Sequence, residues 1–459
     1  MQDLTTGSIT QHLLKTAGFM LVTMIFQTLY FLVDLYWVGH LGKEAVAAVA
    51  IAGNLTFVVL AVSQMLGVGT TTLVSHATGR KDHEQALLVF NQSQVLSTMV
   101  GVIFLVISLL LNRAYSTTLA ADATTAAQAE QYLNWFIPAM ALQFVMVAMG
   151  AALRGTGNFK PGMIVATTTV ILNMLLAPFL IFGWVISPPL GVAGAAISSL
   201  VAVVVGVVWL ATYFIKPSAY LHFLPSQWVP QLALWSRMLK IGLPAGAEFA
   251  LMAVYLFVVY VISRPFGAAA QAGFGIGLRV VQAGFMPVVA LGFSVAPVAG
   301  QNFGARLGDR VKKTFVTAAG LAAGVMAVWA VGCYFFATPM VRLFSADADV
   351  IAVGEQYLRI IAFTFVGSGL VFVSSSMFQA LGNTLPPLAA SFGRMLLTAV
   401  PAILLSRMPG FELKWIWYLS AGTILFQVVT ILLLLQREYR LRLGSASFFA
   451  PASAAASTM

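Results

Sequence analysis

Long apolar runs separated by short polar breaks make up almost the whole chain. A membrane-spanning helix needs about 20 apolar residues, and twelve runs reach approximately this length. The pattern therefore predicts an all-α membrane protein with twelve transmembrane helices. We place them at 13–38, 45–72, 86–111, 131–152, 161–183, 190–215, 241–263, 268–298, 314–337, 356–378, 385–405 and 414–435.

The composition supports this interpretation and excludes several classes of soluble protein. Of the 459 residues, 60% are hydrophobic and 8% are charged, whereas about 25% are charged in a typical soluble domain. So little charge is not compatible with a cytosolic enzyme, a nucleic-acid-binding protein or a disordered protein. The first eleven residues are polar and do not resemble a removable signal peptide, so we expect the first apolar run to remain as a helix.

The distribution of basic residues between the apolar runs predicts the orientation in the membrane. If the N-terminus is cytoplasmic, fifteen Lys and Arg residues fall in cytoplasmic loops and tails, and seven fall on the outer side. Lys and Arg are enriched in the cytoplasmic loops of membrane proteins. Both termini are therefore expected to be cytoplasmic.

The second half of the chain repeats the first at a constant offset in residue number. The run Glu130-Gln131-Tyr132-Leu133 recurs at Glu355-Gln356-Tyr357-Leu358, and Ala121-Asp122-Ala123 recurs at Ala346-Asp347-Ala348 in the same register. Matches that cluster in polar segments and share one register indicate a true internal repeat. Six spans in each repeat return the chain to its starting side, so the two halves have the same orientation.

This repeat predicts two parallel six-helix lobes around a central cavity, as in other transporters with parallel repeats. The predicted N-lobe is 1–215, the cytoplasmic linker 216–240, the C-lobe 241–443 and a flexible tail 444–459. The alternative is a duplicated scaffold without a transport role. Twelve spans with almost no domain outside the membrane favour transport.

Four charged residues lie inside the predicted spans, where a charge costs about 2.5–3.5 kcal/mol and needs a reason. They are Asp34, Glu248, Arg279 and Arg394. We expect Glu248 to be partly neutralised in a structural ion pair with Arg279 or Arg394. Asp34 has no base in its own half, so it is the candidate for exchanging a proton or binding a cation. The alternative is that Asp34 reaches the outer interface and caps a loop.

Several polar side chains are predicted to lie at about the depth of Asp34. Counting helical residues from the polar breaks brings Asn54, Asn173 and Ser199 to that level, and Tyr30 lies one turn from Asp34 on the same helix face. Oxygen ligands of this kind suit a small cation, so Asp34 and Asn173 also form a possible sodium site. Each polar residue alone is more typical of helix packing.

Several segments, spread over most of the chain, resemble the multidrug and toxic compound extrusion (MATE) family. The first span matches the family signature, and later segments follow in the family's order: Gln27 to Asp34, Val38 to Gly42, Gly155 to Asn158 with Pro161, Gly194 to Ile197, Gly242 to Pro244, and Gly300 to Asn302. The resemblance implies an antiporter that expels organic cations in exchange for protons or sodium ions. It also implies an outward-facing V-shaped cavity between the lobes.

The sequence departs from the family pattern at four positions. Phe19 stands where many members have a first-span proline, and Ala177 stands where many have Asp or Asn. Ser368 lies near the place of a tenth-span acid, and Glu248 lies about a turn earlier than the corresponding acid in one bacterial branch. These changes argue against a sodium site in the C-lobe. They leave Asp34 as the main coupling residue and favour a proton.

The sequence as a whole predicts a secondary active antiporter that exports amphipathic organic cations in exchange for protons. It contains no nucleotide-binding loop and no clustered catalytic residues, so we expect an ion-driven transporter without a cofactor rather than an enzyme. Glu248 is expected to be a second carboxylate of the substrate cavity. A monomer in a bacterial inner membrane is expected. The alternatives are a sodium-coupled exporter and a flippase for lipid-linked precursors.

Overall fold

The computed structural model describes residues 2–184 and 188–444, and the described residues outside loops and turns are helical. The first half forms six long helices: α1 (Ile9–Gly39), α2 (Lys43–Gly79), α3 (His83–Leu119), α4 (Ala123–Gly155), α5 (Lys160–Phe182) and α6 (Val192–Thr212). The second half forms α7 (Leu232–Ser263), α8 (Gly267–Gly304), α9 (Gly308–Phe335), the short α10 (Ala337–Arg342), α11 (Ala348–Ile361), α12 (Phe365–Leu381), α13 (Leu385–Leu405) and α14 (Lys414–Leu443).

The twelve predicted spans are confirmed by these helices. Eleven uninterrupted helical stretches in the described part of the chain are long and apolar enough to cross a membrane. One of them, Leu232–Gly304, is 73 residues long and turns at the 3-10 segment Arg264–Phe266 to give α7 and α8. The predicted tenth span is covered by α11 and α12, which a single 3-10 turn joins.

The helix boundaries follow the internal repeat. The first residues of α3, α4 and α5 precede the first residues of α9, α11 and α13 by the same offset that separates Glu130 from Glu355. Lys81 and Arg306 are separated by this offset too, and both adopt a left-handed φ, at 59° and 60°. Since few residues other than glycine adopt this conformation, the shared backbone geometry confirms that the halves are structural repeats.

The repeated Ala-Asp-Ala segment caps a helix in each half. The Asp122 carboxylate accepts a hydrogen bond from the backbone N–H of Thr125 at 2.8 Å, at the start of α4. That bond holds the pKa of Asp122 below its usual value. Asp347 accepts bonds from the backbone of Asp349 and Val350 at the start of α11. The match therefore reflects a shared helix start, because a capping carboxylate satisfies N–H groups that lack a partner inside the helix.

The chain folds into two compact units. The first unit contains the described residues between Gly18 and Gly246, together with Gln2 and Asp3. In it α4 packs against α2, α3 and α6, and α5 packs against α6. The first turns of α7 complete its core, where Trp235 and Met238 are buried with side chains of α2 and α3.

The second unit contains Leu4–Ala17 and the described residues from Ala247 onward. Its α8 packs against α9, α11 and α12, and α13 packs against α14. Leu4 and Leu13 are fully buried in its core, so the first turns of α1 belong to this unit. The predicted linker, 216–240, contains the 3-10 turn Pro225–Gln227 and the start of α7.

The predicted division into lobes at 1–215 and 241–443 stays a prediction. The compact units have other boundaries, because the first turns of α1 belong to the second unit and the first turns of α7 belong to the first. The predicted tail, 444–459, lies outside the described residues except for Gly444.

Candidate functional site

Asp34 lies on α1 in the first unit, and its side chain is buried, with 7% of the residue exposed. Its Oδ1 atom has no hydrogen-bond partner among the described residues, and no Lys or Arg nitrogen of that part of the chain forms an ion pair with its carboxylate. A buried acceptor without a partner is costly when it carries a charge. Protonation removes the charge and converts the carboxylate into a hydrogen-bond donor.

Three of the predicted site residues form one hydrogen-bonded cluster one helical turn from Asp34. The Tyr30 hydroxyl lies 2.9 Å from the Ser199 hydroxyl, and the Asn173 amide donates to Ser199 at 3.0 Å. The same amide lies 3.3 Å from the hydroxyl of Ser198. Helices α1, α5 and α6 therefore each contribute to the cluster, as the estimate of depth predicted.

Hydrogen bonds to a backbone carbonyl decide which groups of this cluster are donors and which are acceptors. The hydroxyls of Ser198 and Ser199 donate to the carbonyl of Ala195 at 2.8 and 3.1 Å, a common bond for serine inside a helix. Each serine oxygen can then only accept hydrogen bonds from its neighbours, so Tyr30 and Asn173 are donors to Ser199. Since a hydroxyl oxygen has two acceptor lone pairs, these two donors saturate Ser199.

Tyr132 is a residue of this site that the sequence analysis did not identify. Its side chain on α4 is 2% exposed and lies within electrostatic range of both Asp34 and Tyr30. Its ring packs against Phe136 at a centroid distance of 5.0 Å. The repeated Glu-Gln-Tyr-Leu segment contains this tyrosine and was the available signal.

Asn54 does not join the cluster. Its side chain is exposed on α2, and within the described residues it makes no hydrogen bond to Tyr30, Asn173 or Ser199. The distance along a span gives the depth of a residue but not its direction around the helix axis, so equal depth did not bring Asn54 to the other three.

Glu248 on α7 of the second unit is held by serine hydroxyls. Ser375 donates to Oε2 at 2.8 Å and Ser391 donates to Oε1 at 3.0 Å. The predicted ion pair with Arg279 or Arg394 is therefore not formed: in the described part of the chain no salt bridge involves Glu248. Arg279 is exposed on α8.

Among the described residues, Arg394 connects to Glu248 through two other side chains. Its Nη1 donates to Gln427 Oε1 at 3.3 Å, and Gln427 Nε2 donates to the Ser391 hydroxyl at 3.0 Å. Ser391 in turn donates to Glu248. The arginine and the carboxylate are thus connected by a series of three hydrogen bonds and make no direct contact in the described structure.

The two units therefore contain different candidate chemistry. Within the described residues, the first has a buried carboxylate that forms no ion pair, one helical turn from neutral hydroxyl and amide groups. The second has a carboxylate whose two oxygens are occupied by hydroxyl donors. In the described residues, His, Cys, Asp and Glu side chains do not gather in groups of three or more that suit a metal ion.

Removing the Tyr30 hydroxyl tests the importance of the cluster. Tyr30→Phe deletes one donor to Ser199 and is expected to slow transport by about two- to tenfold, the equivalent of one neutral hydrogen bond. Transport rates in reconstituted vesicles measure the effect. Tyr36→Phe is the matched control on the same helix, because Tyr36 is 60% exposed. Equal losses in the two variants would contradict a specific role for Tyr30.

Comparison with known proteins identifies relatives of the chain. The family model MatE matches residues 20–179 and again 244–404, which reproduces the internal repeat. Multidrug export protein MepA of Staphylococcus haemolyticus is 27% identical over 79% of this chain and 80% of its own length. Probable multidrug resistance protein NorM of Thermotoga maritima is 25% identical over 84% of this chain and 82% of its own length.

Solved structures share the fold. A crystal structure of MATE in the bent conformation has a TM-score of 0.90, with 22% identity, over 96% of this chain and 98% of its own length. A crystal structure of MATE in the straight conformation has a TM-score of 0.88 over the same shares of the two chains and the same identity. The predicted fold class, an all-α membrane protein with twelve spans in two repeats, is confirmed.

Proposed function

The chain belongs to the MatE family of multi-pass membrane transporters, and on that premise we propose that it exports amphipathic organic cations in exchange for protons. In this proposal Asp34 is the coupling residue. The protein is a multidrug efflux transporter by family, not an enzyme. The identity of the coupling ion and the charge of the substrates are our proposal.

The observation that carries the proposal is the buried Asp34 carboxylate, which forms no ion pair with a Lys or Arg of the described part of the chain. A carboxylate in this position is neutral when protonated, and when ionised it attracts a positive charge. A proton and an organic cation therefore compete for one group. The protein then has one state with a bound proton and another with a bound cation. Each ligand shifts the equilibrium toward the state that it binds better, and this competition is sufficient for exchange.

The saturation of the neighbouring oxygens supports a proton over a sodium ion. A hard metal cation needs several oxygen ligands, yet Ser199 already accepts from Tyr30 and Asn173. A sodium ion that used the Ser199 oxygen as a further ligand would have to displace one of these two donors. A proton needs only one carboxylate oxygen, and Asp34 Oδ1 has no hydrogen-bond partner in the described part of the chain.

Glu248 is proposed as a second carboxylate of the substrate cavity. Two serine hydroxyls hold it, so it offers a negative charge of fixed position rather than a group that easily changes partners. We further propose a monomer in a bacterial inner membrane, with both termini cytoplasmic. The excess of basic residues in the loops assigned to that side supports this orientation.

Exchange in proteoliposomes tests the coupling ion and the substrate class. Purified wild-type protein is reconstituted, and uptake of tetraphenylphosphonium is measured under a proton gradient, under a sodium gradient and without a gradient. A matched neutral probe, triphenylphosphine oxide, is measured in parallel. We expect uptake of the cation only with the proton gradient. Uptake driven by sodium alone would favour the sodium-coupled alternative, and the absence of cation uptake in every arm would overturn the proposal.

A further inference from the structure

The second unit repeats the tyrosine of the site but not its charge. Tyr255 is the repeat equivalent of Tyr30, and its hydroxyl lies 2.9 Å from the Ser420 hydroxyl, as Tyr30 does from Ser199. The position equivalent to Asp34 is Val259. The ionisable group beside Tyr255 is instead Arg394, which has the opposite charge.

Neighbouring polar groups of the second unit follow the same repeat. Thr398 is equivalent to Asn173, and Thr423 is equivalent to Ser198. The two threonine hydroxyls lie 2.8 Å apart, where the first unit has an amide and a serine. The second unit therefore keeps a neutral polar cluster, on α13 and α14, and the charged group near it is a base on α13 where the first unit has an acid on α1.

The Arg394 guanidinium is nearly free of protein partners. Of its five N–H donors, one reaches the Gln427 amide oxygen, at 3.3 Å, and among the described residues no carboxylate lies within 4.0 Å. Its Cζ atom lies 5.9 Å from the centroid of the Tyr255 ring, close enough for a cation–π contact. An arginine inside a membrane helix with most of its donors unused requires an explanation.

Glu248 does not provide that explanation. Both of its oxygens accept from serine hydroxyls, and Gln427 and Ser391 stand between it and Arg394. In each of these hydrogen bonds the donor lies on the side of the arginine and the acceptor on the side of the carboxylate. This series of hydrogen bonds therefore fixes one edge of the guanidinium and leaves the remaining N–H donors available to another group.

We propose that Arg394 binds an oxyanion, a carboxylate or a phosphate group of a small molecule, within the second unit. The planar guanidinium fork matches two oxygens of such a group. Gln427 holds one nitrogen in place, and the Tyr255 ring supports the guanidinium. The proposed function concerns organic cations at Asp34 and does not require this site, so the two proposals can be tested separately.

Binding of small aromatic probes to the full-length protein in detergent tests this proposal. Isothermal titration calorimetry at pH 7, without a membrane gradient, measures benzoate, phenyl phosphate and the neutral analogue benzamide. We expect the wild type to bind at least one of the two anions and to bind benzamide more weakly. Preference for benzoate identifies a carboxylate, and preference for phenyl phosphate identifies a phosphate. Binding of neither anion overturns the proposal.

Two variants assign the binding to Arg394. Arg394→Gln is expected to weaken binding of the anion about tenfold or more, as for the loss of a charge-assisted hydrogen bond. Arg279→Gln removes the exposed arginine of α8 and is expected to leave the affinity unchanged. If Arg394→Gln does not fold, Arg394→Lys retains the charge without the fork and is expected to weaken binding several-fold. Wild-type affinity in the folded variant, or an equal loss in Arg279→Gln, would overturn the proposal.

Discussion

Replacing Asp34 by asparagine is expected to reduce proton-driven uptake of tetraphenylphosphonium to the level of protein-free liposomes. The substitution preserves the shape of the side chain and removes the buried carboxylate that lies one helical turn from Tyr30. Because Asp34 Oδ1 makes no hydrogen bond in the described structure, the variant loses no such bond at that atom and is expected to fold. Size-exclusion chromatography before reconstitution checks this.

Asp122→Asn is the matched control for this variant. It also removes one acid from the first unit, but Asp122 caps α4 outside the helix. Its uptake is expected to equal that of the wild type. Undiminished proton-driven uptake by Asp34→Asn would contradict the coupling role of Asp34. Loss of uptake in both variants would indicate a general effect of acid removal.

Replacing Gly242 by alanine is expected to destabilise the first unit. A Cβ atom at this position would lie 2.8 Å from the Met65 carbonyl carbon and closer still to its oxygen. Both are backbone atoms of α2, which cannot rotate away as a side chain would. Overpacking of this kind costs about 1–3 kcal/mol. For a unit of this size the thermal midpoint of the purified protein should fall by about 2–4 °C for each kcal/mol.

Gly53→Ala is the control for this steric effect. Gly53 lies on α2, and a Cβ atom there would meet nothing within 4 Å. In a helix interior alanine is favoured over glycine by about 0.5–1 kcal/mol, so the thermal midpoint should stay constant or rise slightly. A similar decrease in both variants would show that the close approach to Met65 is not the cause.

The helices and the repeat could be predicted from the sequence because their signals are local and periodic. Apolar runs of membrane-spanning length locate each helix, and the repeat appears wherever two polar segments match in one register, as Glu130 to Leu133 match Glu355 to Leu358. The exchange of the first turns of α1 and α7 between the two units could not be predicted. Nothing in an apolar run indicates which of two similar cores its first turns join.

The candidate site was predicted in part, and the limits have a physical cause. The helical rise gives the depth of each residue, which correctly grouped Tyr30 with Asn173 and Ser199. Depth does not give the direction of a side chain around the helix. For that reason Asn54 was grouped with residues that it does not contact.

The same limit applies to the charges of the second unit. One acid and two bases at loosely similar depth in the same half suggested that Glu248 would pair with an arginine, whereas serine hydroxyls occupy its oxygens. The charges inside the spans also did not predict Tyr132 as a site residue, because a tyrosine side chain is neutral. Only the folded arrangement places it within electrostatic range of Asp34.

Proton release on substrate binding tests the central claim most directly. Tetraphenylphosphonium is added to the purified protein in weakly buffered detergent solution that contains a pH-indicator dye, and calorimetry measures the amount bound. If the substrate displaces a proton from Asp34, the wild type should release about one proton for each cation bound, and Asp34→Asn should release none. Binding without release in the wild type, or equal release from Asp34→Asn, would contradict the account.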